Sequence, residues 1–342
     1  MRSQDTIRRG WNYLWKLVLG TLFFLISTTA CQRVHEAGGR EDVIIVISEE
    51  EEGGQLHHLL REILEKGEPY SLERRPFFEM EWVSPERFEV YQYRKNILLI
   101  GELERNPIMR ELLTEKAIQD VISQKVLLFE KRDPWAKGQY LLVVTGVHPE
   151  DLSSLLKQSG EILFRFFEKE VSHRISTMIY KDGTEETITQ HLKETYDWSL
   201  SLPKGYTISR EDSQQKMIQM IHHFPDRLIT VSWEEEEGKM VYLTEKEILD
   251  LRDSLFKRNF EGDLVMRDRV QSEEVNWLGK KSLRLVGYWE NDEKVMGGPF
   301  ISYSFLEGGR SYFLDLHLFA PGKKKWLYLL QLEEIAKTFE TH

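Results

Sequence analysis

Five consecutive β-branched apolar residues, Val43-Ile-Ile-Val-Ile47, stand between Asp42 and Ser48. A strand with no polar alternation must be buried on both faces, so it occupies the middle of a sheet and needs neighbours on either side. The chain has 342 residues, and at about 100–200 residues per domain it is long enough for two such cores. It contains one cysteine, Cys31, so no internal disulfide is available and burial must stabilise both domains. Hydrophobic residues make up 41% and charged residues 30%, with a mean hydropathy of -0.45, which excludes collagenous and polytopic membrane classes. Lys and Arg number 46 against 57 Asp and Glu, a net charge of -11. That balance repels phosphate backbones and argues against nucleic acid as a partner.

The first thirty residues have a different character. Arg2, Arg8, Arg9 and Lys16 give a positive start, and Leu17 to Ile26 form an apolar run too short to span a bilayer as a mature helix. Small residues Ser27 to Ala30 follow, then Cys31. This order resembles a bacterial lipoprotein signal, although Thr28 stands where Leu is usual. The resemblance implies cleavage before Cys31 and acylation of that residue, with the membrane as partner through the acyl chains. More than one chain makes a stable anchor, since each buried methylene contributes about 0.8 kcal/mol. An ordinary secretory signal cut after Ala30, or an uncleaved helix starting at Trp11, would read similarly. In lipoproteins resembling this one an acidic cluster after the cysteine often accompanies surface display; none follows Cys31, so the resemblance implies the outer membrane, facing the periplasm.

Residues 31–41, with Gly38-Gly39, read as a tether. A first α+β domain is expected over 42–182. Its strands fall near 42–48, 77–82, 96–101, 125–131 and 140–145, and its helices over 55–66, 107–123 and from Pro149 onward. A second domain is expected over 190–342. Strands fall near 200–208, 217–223, 228–233, 283–289, 300–306 and 312–319, with helices over 244–258 and 325–339. Thr244 and Glu247 have capping-box spacing. The order predicts a mostly antiparallel sheet in each domain, covered by helices on one face in the first; both halves end in a β-meander and a packed helix, which leaves open distant repeats of one unit, although residue identity does not support them.

Several segments carry a family resemblance: Arg94-Lys-Asn96-Ile-Leu, Arg252-Asp253 with Gly262, Arg284-Leu-Val-Gly-Tyr-Trp289-Glu290, Met296-Gly-Gly-Pro-Phe300, and Ala320-Pro321 with Lys323 to Lys325, Gln331 and Glu333. Together they resemble domain-of-unknown-function family 4837, envelope lipoproteins of one Gram-negative lineage. The family's Pro-Gln-x-Glu-Pro stretch survives only as Glu68-Pro69. The resemblance implies a lipid anchor and a two-part envelope domain, and it supplies no activity or catalytic residue. More faintly, Leu202-Pro203-Lys-Gly205-Tyr206 and Ile335 to Phe339 resemble small α/β domains attached to photosystem assembly factors, which usually bind partners.

No Gly-x-Ser-x-Gly elbow, Walker loop, Gly-x-Gly-x-x-Gly or His-Glu-x-x-His occurs. Neither a cofactor nor a metal site is expected. His57-His58 and His222-His223 are adjacent pairs whose side chains diverge on a helix or strand. Glu49 to Glu52 and Glu234 to Glu237 lack calcium-loop spacing and read as solvated turns. Seven tryptophans follow the leader, and packing is favoured for them over sugar platforms. Gly297-Gly298-Pro299 is the most informative local feature: two glycines allow positive φ or close backbone approach, giving a tight turn or a backbone-lined niche. Arg284, Trp289 and Glu290 on the preceding strand complete the expected binding surface, with Arg284 and Glu290 on one face. The function read from these features is a membrane-anchored, non-enzymatic binding or assembly module with an envelope protein partner. An envelope hydrolase or carbohydrate-active protein using scattered carboxylates is the alternative.

Overall fold

A computed structural model describes residues 35–66, 76–124, 126–235, 244–259, 262–291 and 293–342. Cys31, Glu68-Pro69 and Glu236-Glu237 lie outside the described residues. Residues 35–66 and 76–171 form one unit, and those from Ser172 to His342 a second. No described helix is long and apolar enough to cross a membrane.

The first unit has strands β1 (Val43–Ile47), β2 (Glu79–Val83), β3 (Asn96–Glu102), β4 (Val126–Arg132) and β5 (Tyr140–Gly146), in the sheet order β2-β1-β3-β5-β4. The β-branched run is thus internal, as its composition required. The helices are α1 (Gln55–Leu64), the single turn α2 (Phe88–Tyr91), α3 (Pro107–Leu112), α4 (Glu115–Gln124), α5 (Pro149–Ser159) and α6 (Glu161–Ile179), whose residues from Ser172 on belong to the second unit. Three of the four pairings are parallel, and only β4 runs antiparallel to β5.

The antiparallel expectation is therefore corrected for this unit. Parallel neighbours need crossover helices, and those helices cover both faces, which is why β1, β3 and β5 are continuously apolar. On one face Ile45, Ile47, Leu99 and Val143 pack against Ile108, Met109, Ile118 and Val121 of α3 and α4. Helices α1 and α5 pack on each other and reach β2, β3 and β5 on the opposite face. The single helix expected over 107–123 is broken at Leu113, whose backbone is extended, because the Thr114 hydroxyl accepts the Ala117 N–H at 3.3 Å and starts a new helix.

The second unit has α7 (Glu186–Tyr196), β6 (Trp198–Ser199), β7 (Thr207–Asp212), β8 (Met217–His222), β9 (Asp226–Glu235) and α8 (Glu245–Asn259). Then come β10 (Leu264–Val265), β11 (Gln271–Trp277), β12 (Lys280–Asn291), β13 (Met296–Glu307), β14 (Arg310–Phe319), α9 (Lys325–Ala336) and β15 (Glu340–Thr341). The large sheet has the order β10-β12-β13-β14-β9-β8-β7, with β11 also on β12, and every pairing is antiparallel. On one face Ile218, Val231, Tyr303 and Leu316 pack against Leu192 of α7 and Leu329, Leu332 and Ile335 of α9. The other face packs Met217, Leu285, Phe300 and Phe313 against Ile248, Leu249, Leu255 and Phe256 of α8. Glu247 accepts the Thr244 N–H at 2.7 Å and its own N–H reaches the Thr244 hydroxyl at 3.4 Å, the reciprocal cap expected for α8.

The protein is thus α+β with two domains. The repeat expectation fails, because one sheet is mainly parallel and the other wholly antiparallel.

Candidate functional site

The α8 face of the second sheet carries a row of polar residues through its core. Register places Gln219 beside Thr230, Thr230 beside Asp315, and Asp315 beside Ser302, on four adjacent strands, and all four are buried. Buried polar groups need partners, and this row supplies its own. Ser209 donates to the Gln219 side-chain oxygen at 2.8 Å, Gln219 donates to the Thr230 hydroxyl at 3.2 Å, and Ser302 donates to Asp315 at 2.6 Å. Arg252 descends from α8 with no exposed surface and donates to both Asp315 oxygens, at 2.8 and 3.4 Å. Its guanidinium lies 4.0 Å from the Phe300 ring centre and 4.4 Å from that of Phe256, so the charge is held between aromatic faces.

His317 stands two residues beyond Asp315 on the same face. Arg252 Nη2 approaches its Nδ1 at 3.3 Å. A guanidinium can only donate, so Nδ1 must accept and the proton of the neutral ring sits on Nε2. Nε2 is directed toward Asp263, 3.9 Å from Oδ2. Burial first, and the Arg252 charge second, hold the His317 pKa well below that of a free imidazole. Asp263 shifts the other way: burial raises its pKa, against the lowering effects of the Asn291 side chain, which donates to it at 2.7 Å, and of Arg252 and Lys294.

These shifts predict a pH dependence. His317 binds fewer protons folded than unfolded, so its contribution to stability is complete above about pH 6.5 and is lost as pH falls below it. Asp263 binds more protons folded, so its contribution is present at low pH and is lost as pH rises through its raised folded pKa. Chemical denaturation of His317→Gln between pH 4 and 7 is expected to show a shallower fall in stability on acidification than wild type. Asp263→Asn should show a steeper one.

His317, Asp263 and Trp289 line a cavity of about 390 Å³, with Gln219, Arg210 and Lys294 adding polar groups. Ile221, Leu228, Met296 and Phe319 supply apolar wall. Arg210 makes no side-chain hydrogen bond or ion pair among the described residues. Convergent polar groups on a largely apolar wall are the usual make-up of a small-ligand site.

The residues singled out from sequence divide between this cavity and the opposite face. Trp289 lines the cavity, its ring centre 4.2 Å from that of His317. Gly298 is its register partner, Gly297 pairs with Glu290, and Pro299 with Tyr288. Neither glycine has positive φ. A Cβ on Gly298 would lie 2.0 Å from the Leu318 carbonyl oxygen and 3.1 Å from the Trp289 indole nitrogen, which donates to that carbonyl at 3.3 Å. Of the two uses weighed for these glycines, close approach is the one Gly298 serves. Arg284 faces α9, where it donates to Glu273, Tyr303 and Glu333 at 2.9, 3.2 and 3.1 Å. Glu290 shares that face by alternation but is exposed at the strand end. Arg284 and Glu290 are therefore not brought together with Trp289.

Sequence reading did not single out His317, Asp263 or Gln219, and it named Arg252 only among the residues of the family resemblance. Two signals for them were present. Leu314-Asp-Leu-His-Leu318 alternates strictly, placing Asp315 and His317 on one buried face. Arg252 lies four residues from both Ile248 and Phe256, within the apolar stripe of its helix.

Elsewhere, His223 pairs with Asp226 at 2.8 Å and His222 lies beside Arg227. Glu49 accepts the Glu102 N–H at 2.6 Å and Asn106 at 3.2 Å, and Glu50 accepts the Leu56 N–H at 2.9 Å. That acidic run borders a cavity of about 420 Å³ at the carboxyl ends of β1 and β3. Among the described residues no group of three or more His, Cys, Asp or Glu could hold a metal ion. Trp198, Trp233, Trp277, Trp289 and Trp326 are buried, so their faces are not open sugar platforms.

Residues 185–338 match the model of a family described as Domain of unknown function (DUF4837). That match lies within the second unit. Residues 37–180 match a second model, Domain of unknown function (DUF8532). No curated protein matches the chain. Among solved structures, cyanobacterial PsbP (CyanoP) from Synechocystis is similar at 7% identity over 43% of this chain and 87% of its own, with a TM-score of 0.29. LpqN, involved in cell envelope biogenesis of Mycobacterium tuberculosis, is similar at 13% identity over 42% of this chain and 83% of its own, TM-score 0.29. A Bacteroides thetaiotaomicron protein is similar at 10% identity over 43% of this chain and 45% of its own, TM-score 0.28. At that level the likeness says nothing about function. Within residues 185–338, residues behind the sequence resemblance are structurally paired: Arg252 with Asp315, Arg284 with Glu333, and Gln331 with Arg227.

Proposed function

We propose that the protein is a lipid-tethered, non-enzymatic binding module of the cell envelope, anchored through Cys31 on the periplasmic side of the outer membrane. Its ligand seat is the His317 cavity of the second unit. The observation that carries the seat is the convergence of a neutral imidazole N–H, the Arg210 guanidinium, unpartnered among the described residues, and the Trp289 edge on one cavity of about 390 Å³. The tether rests on the apolar run 17–26 that precedes the lone cysteine.

Hydrolysis by paired carboxyl groups is less well served. Such chemistry needs one carboxyl kept protonated and another ionised across the scissile bond. Here Asp263 is bonded to Asn291, while Asp226, the other carboxylate of the cavity, is held by His223.

Photo-crosslinking residues placed at Ile221 and Met296, with Gln214 as reference, test the seat in the native host. A discrete adduct at 221 and 296 but not at 214 is expected, and equal labelling of all three would refute it. Mass spectrometry of the same protein should find residues 1–30 removed and acyl chains on Cys31. An unmodified sulfur or the original N-terminus would refute the tether.

A further inference from the structure

One end of the second sheet gathers features that its fold does not need. The β8–β9 turn, the β12–β13 turn and the loop from β14 to α9 all lie at this end, because His222 pairs with Arg227, Asn291 with Met296, and Asp226 with Phe319. In the sheet, β14 runs between β13 and β9. The loop after β14 is thus flanked by a hairpin on each side, and the two hairpin entries are separated by two strand spacings, roughly 10 Å.

Each hairpin tip presents an apolar side chain to solvent: Phe224 is 98% exposed and Val295 91% exposed. Both have left-handed backbones, with φ of 60° and 52°. Glycine, Asn or Asp would serve such turns without strain, whereas a β-branched residue with positive φ is a genuine outlier. Neither side chain contributes to a core. Between the tips the loop carries Lys323, Lys324 and Lys325. Lys324 is the N-cap residue of α9 and Lys325 its first residue, where cations oppose the helix dipole. Two protruding apolar groups around a cluster of cations, in a chain of net charge -11, form a surface suited to a partner that is anionic and accepts apolar side chains. Glu290, Glu293 and Lys294 stand on the Val295 side, and Asp226, paired with His223, on the Phe224 side.

We infer that this end of the second unit docks on the surface of an anionic phospholipid bilayer, with Phe224 and Val295 entering the interface and Lys323 to Lys325 meeting headgroup phosphates. Apolar insertion combined with basic residues is the usual make-up of interfacial binding. The inference is independent of the acylation of Cys31 and of any ligand in the His317 cavity.

The test uses the full chain with Cys31→Ser and one new cysteine, Phe224→Cys, Val295→Cys or, at the opposite end of the sheet, Gln214→Cys, each carrying an environment-sensitive fluorophore. Vesicles are pure phosphatidylcholine or equal parts phosphatidylcholine and phosphatidylglycerol. The leader carries Arg2, Arg8, Arg9 and Lys16 beside its apolar run and itself favours anionic vesicles, so the deciding comparison is between probe positions on the same vesicles. Emission at 224 and 295 should rise and shift to the blue on the anionic vesicles, while 214 stays unchanged. Lys323→Gln, Lys324→Gln and Lys325→Gln together should raise the lipid concentration for half-response at 224 about a hundredfold, at about fivefold per lysine. No response at 224, an equal response at 214, or the same response on neutral vesicles would overturn the inference. The lysine variant retains the probe at an exposed site, so its circular dichroism separates a lost contact from lost folding.

Discussion

Replacing Arg252 by Met lowers the stability of the second unit by about 3–5 kcal/mol, the usual cost of leaving one member of a buried ion pair alone. The residue has no exposed surface, and Asp315 beneath it has none either. Once the guanidinium is gone, Asp315 retains Ser302 as a donor but no opposite charge. His317 also loses the donor to its Nδ1 and the charge that helps keep it neutral. Replacing both partners, Arg252→Met with Asp315→Leu, removes the buried charge and should recover most of the loss. What remains is about 1–3 kcal/mol for the unbonded Ser302 hydroxyl. Urea denaturation followed by tryptophan fluorescence reads both variants. A single variant as unstable as the double would show that the pair contributes through its shape and not its charge.

That pair was legible only in fragments. The spacing of the α8 stripe placed Arg252 among Ile248 and Phe256, and the alternation of β14 placed Asp315 and His317 on one face. Joining them requires knowing that α8 lies over β14. This is a contact between positions 63 residues apart in the chain, and no local periodicity encodes it. Asp263 was hidden for the same reason: it enters the site from the connection between α8 and β10, through Asn291 of β12.

Secondary structure was more legible than strand direction. The runs at Val43, Asn96 and Tyr140 were readable as buried strands, yet their apolar character on both faces was compatible with any central strand. The helices between β1 and β2 and between β3 and β4 were in view, and crossover connections of that kind favour parallel neighbours. The polar strand β11, Gln271–Trp277, was missed because only Val275 and Trp277 point inward from a sequence otherwise exposed. It is held by its ladder to β12, which composition does not report.

The Met296-Gly-Gly-Pro-Phe300 block shows how a motif can be noticed for the right residues before its physical use is known. Gly298→Ala is expected to destabilise the second unit by about 2–4 kcal/mol, through overpacking of about 1–3 kcal/mol and the loss of a hydrogen bond worth about 1 kcal/mol. The added methyl would stand 2.0 Å from the Leu318 carbonyl oxygen, which is backbone and must move as part of β14. It would also meet the indole that donates to that carbonyl. Trp289 is 2% exposed and packs on His317 and Phe319, so displacing the indole deforms the cavity wall as well. A double-mutant cycle with Trp289→Phe separates the two routes. Phenylalanine lacks the N–H and is smaller, so the pair should cost less than the sum of the singles by 1 kcal/mol or more if the methyl acts through the indole. Additive losses would place the whole effect on the Leu318 backbone. A Gly298→Ala protein as stable as wild type would mean that no close approach occurs at that position.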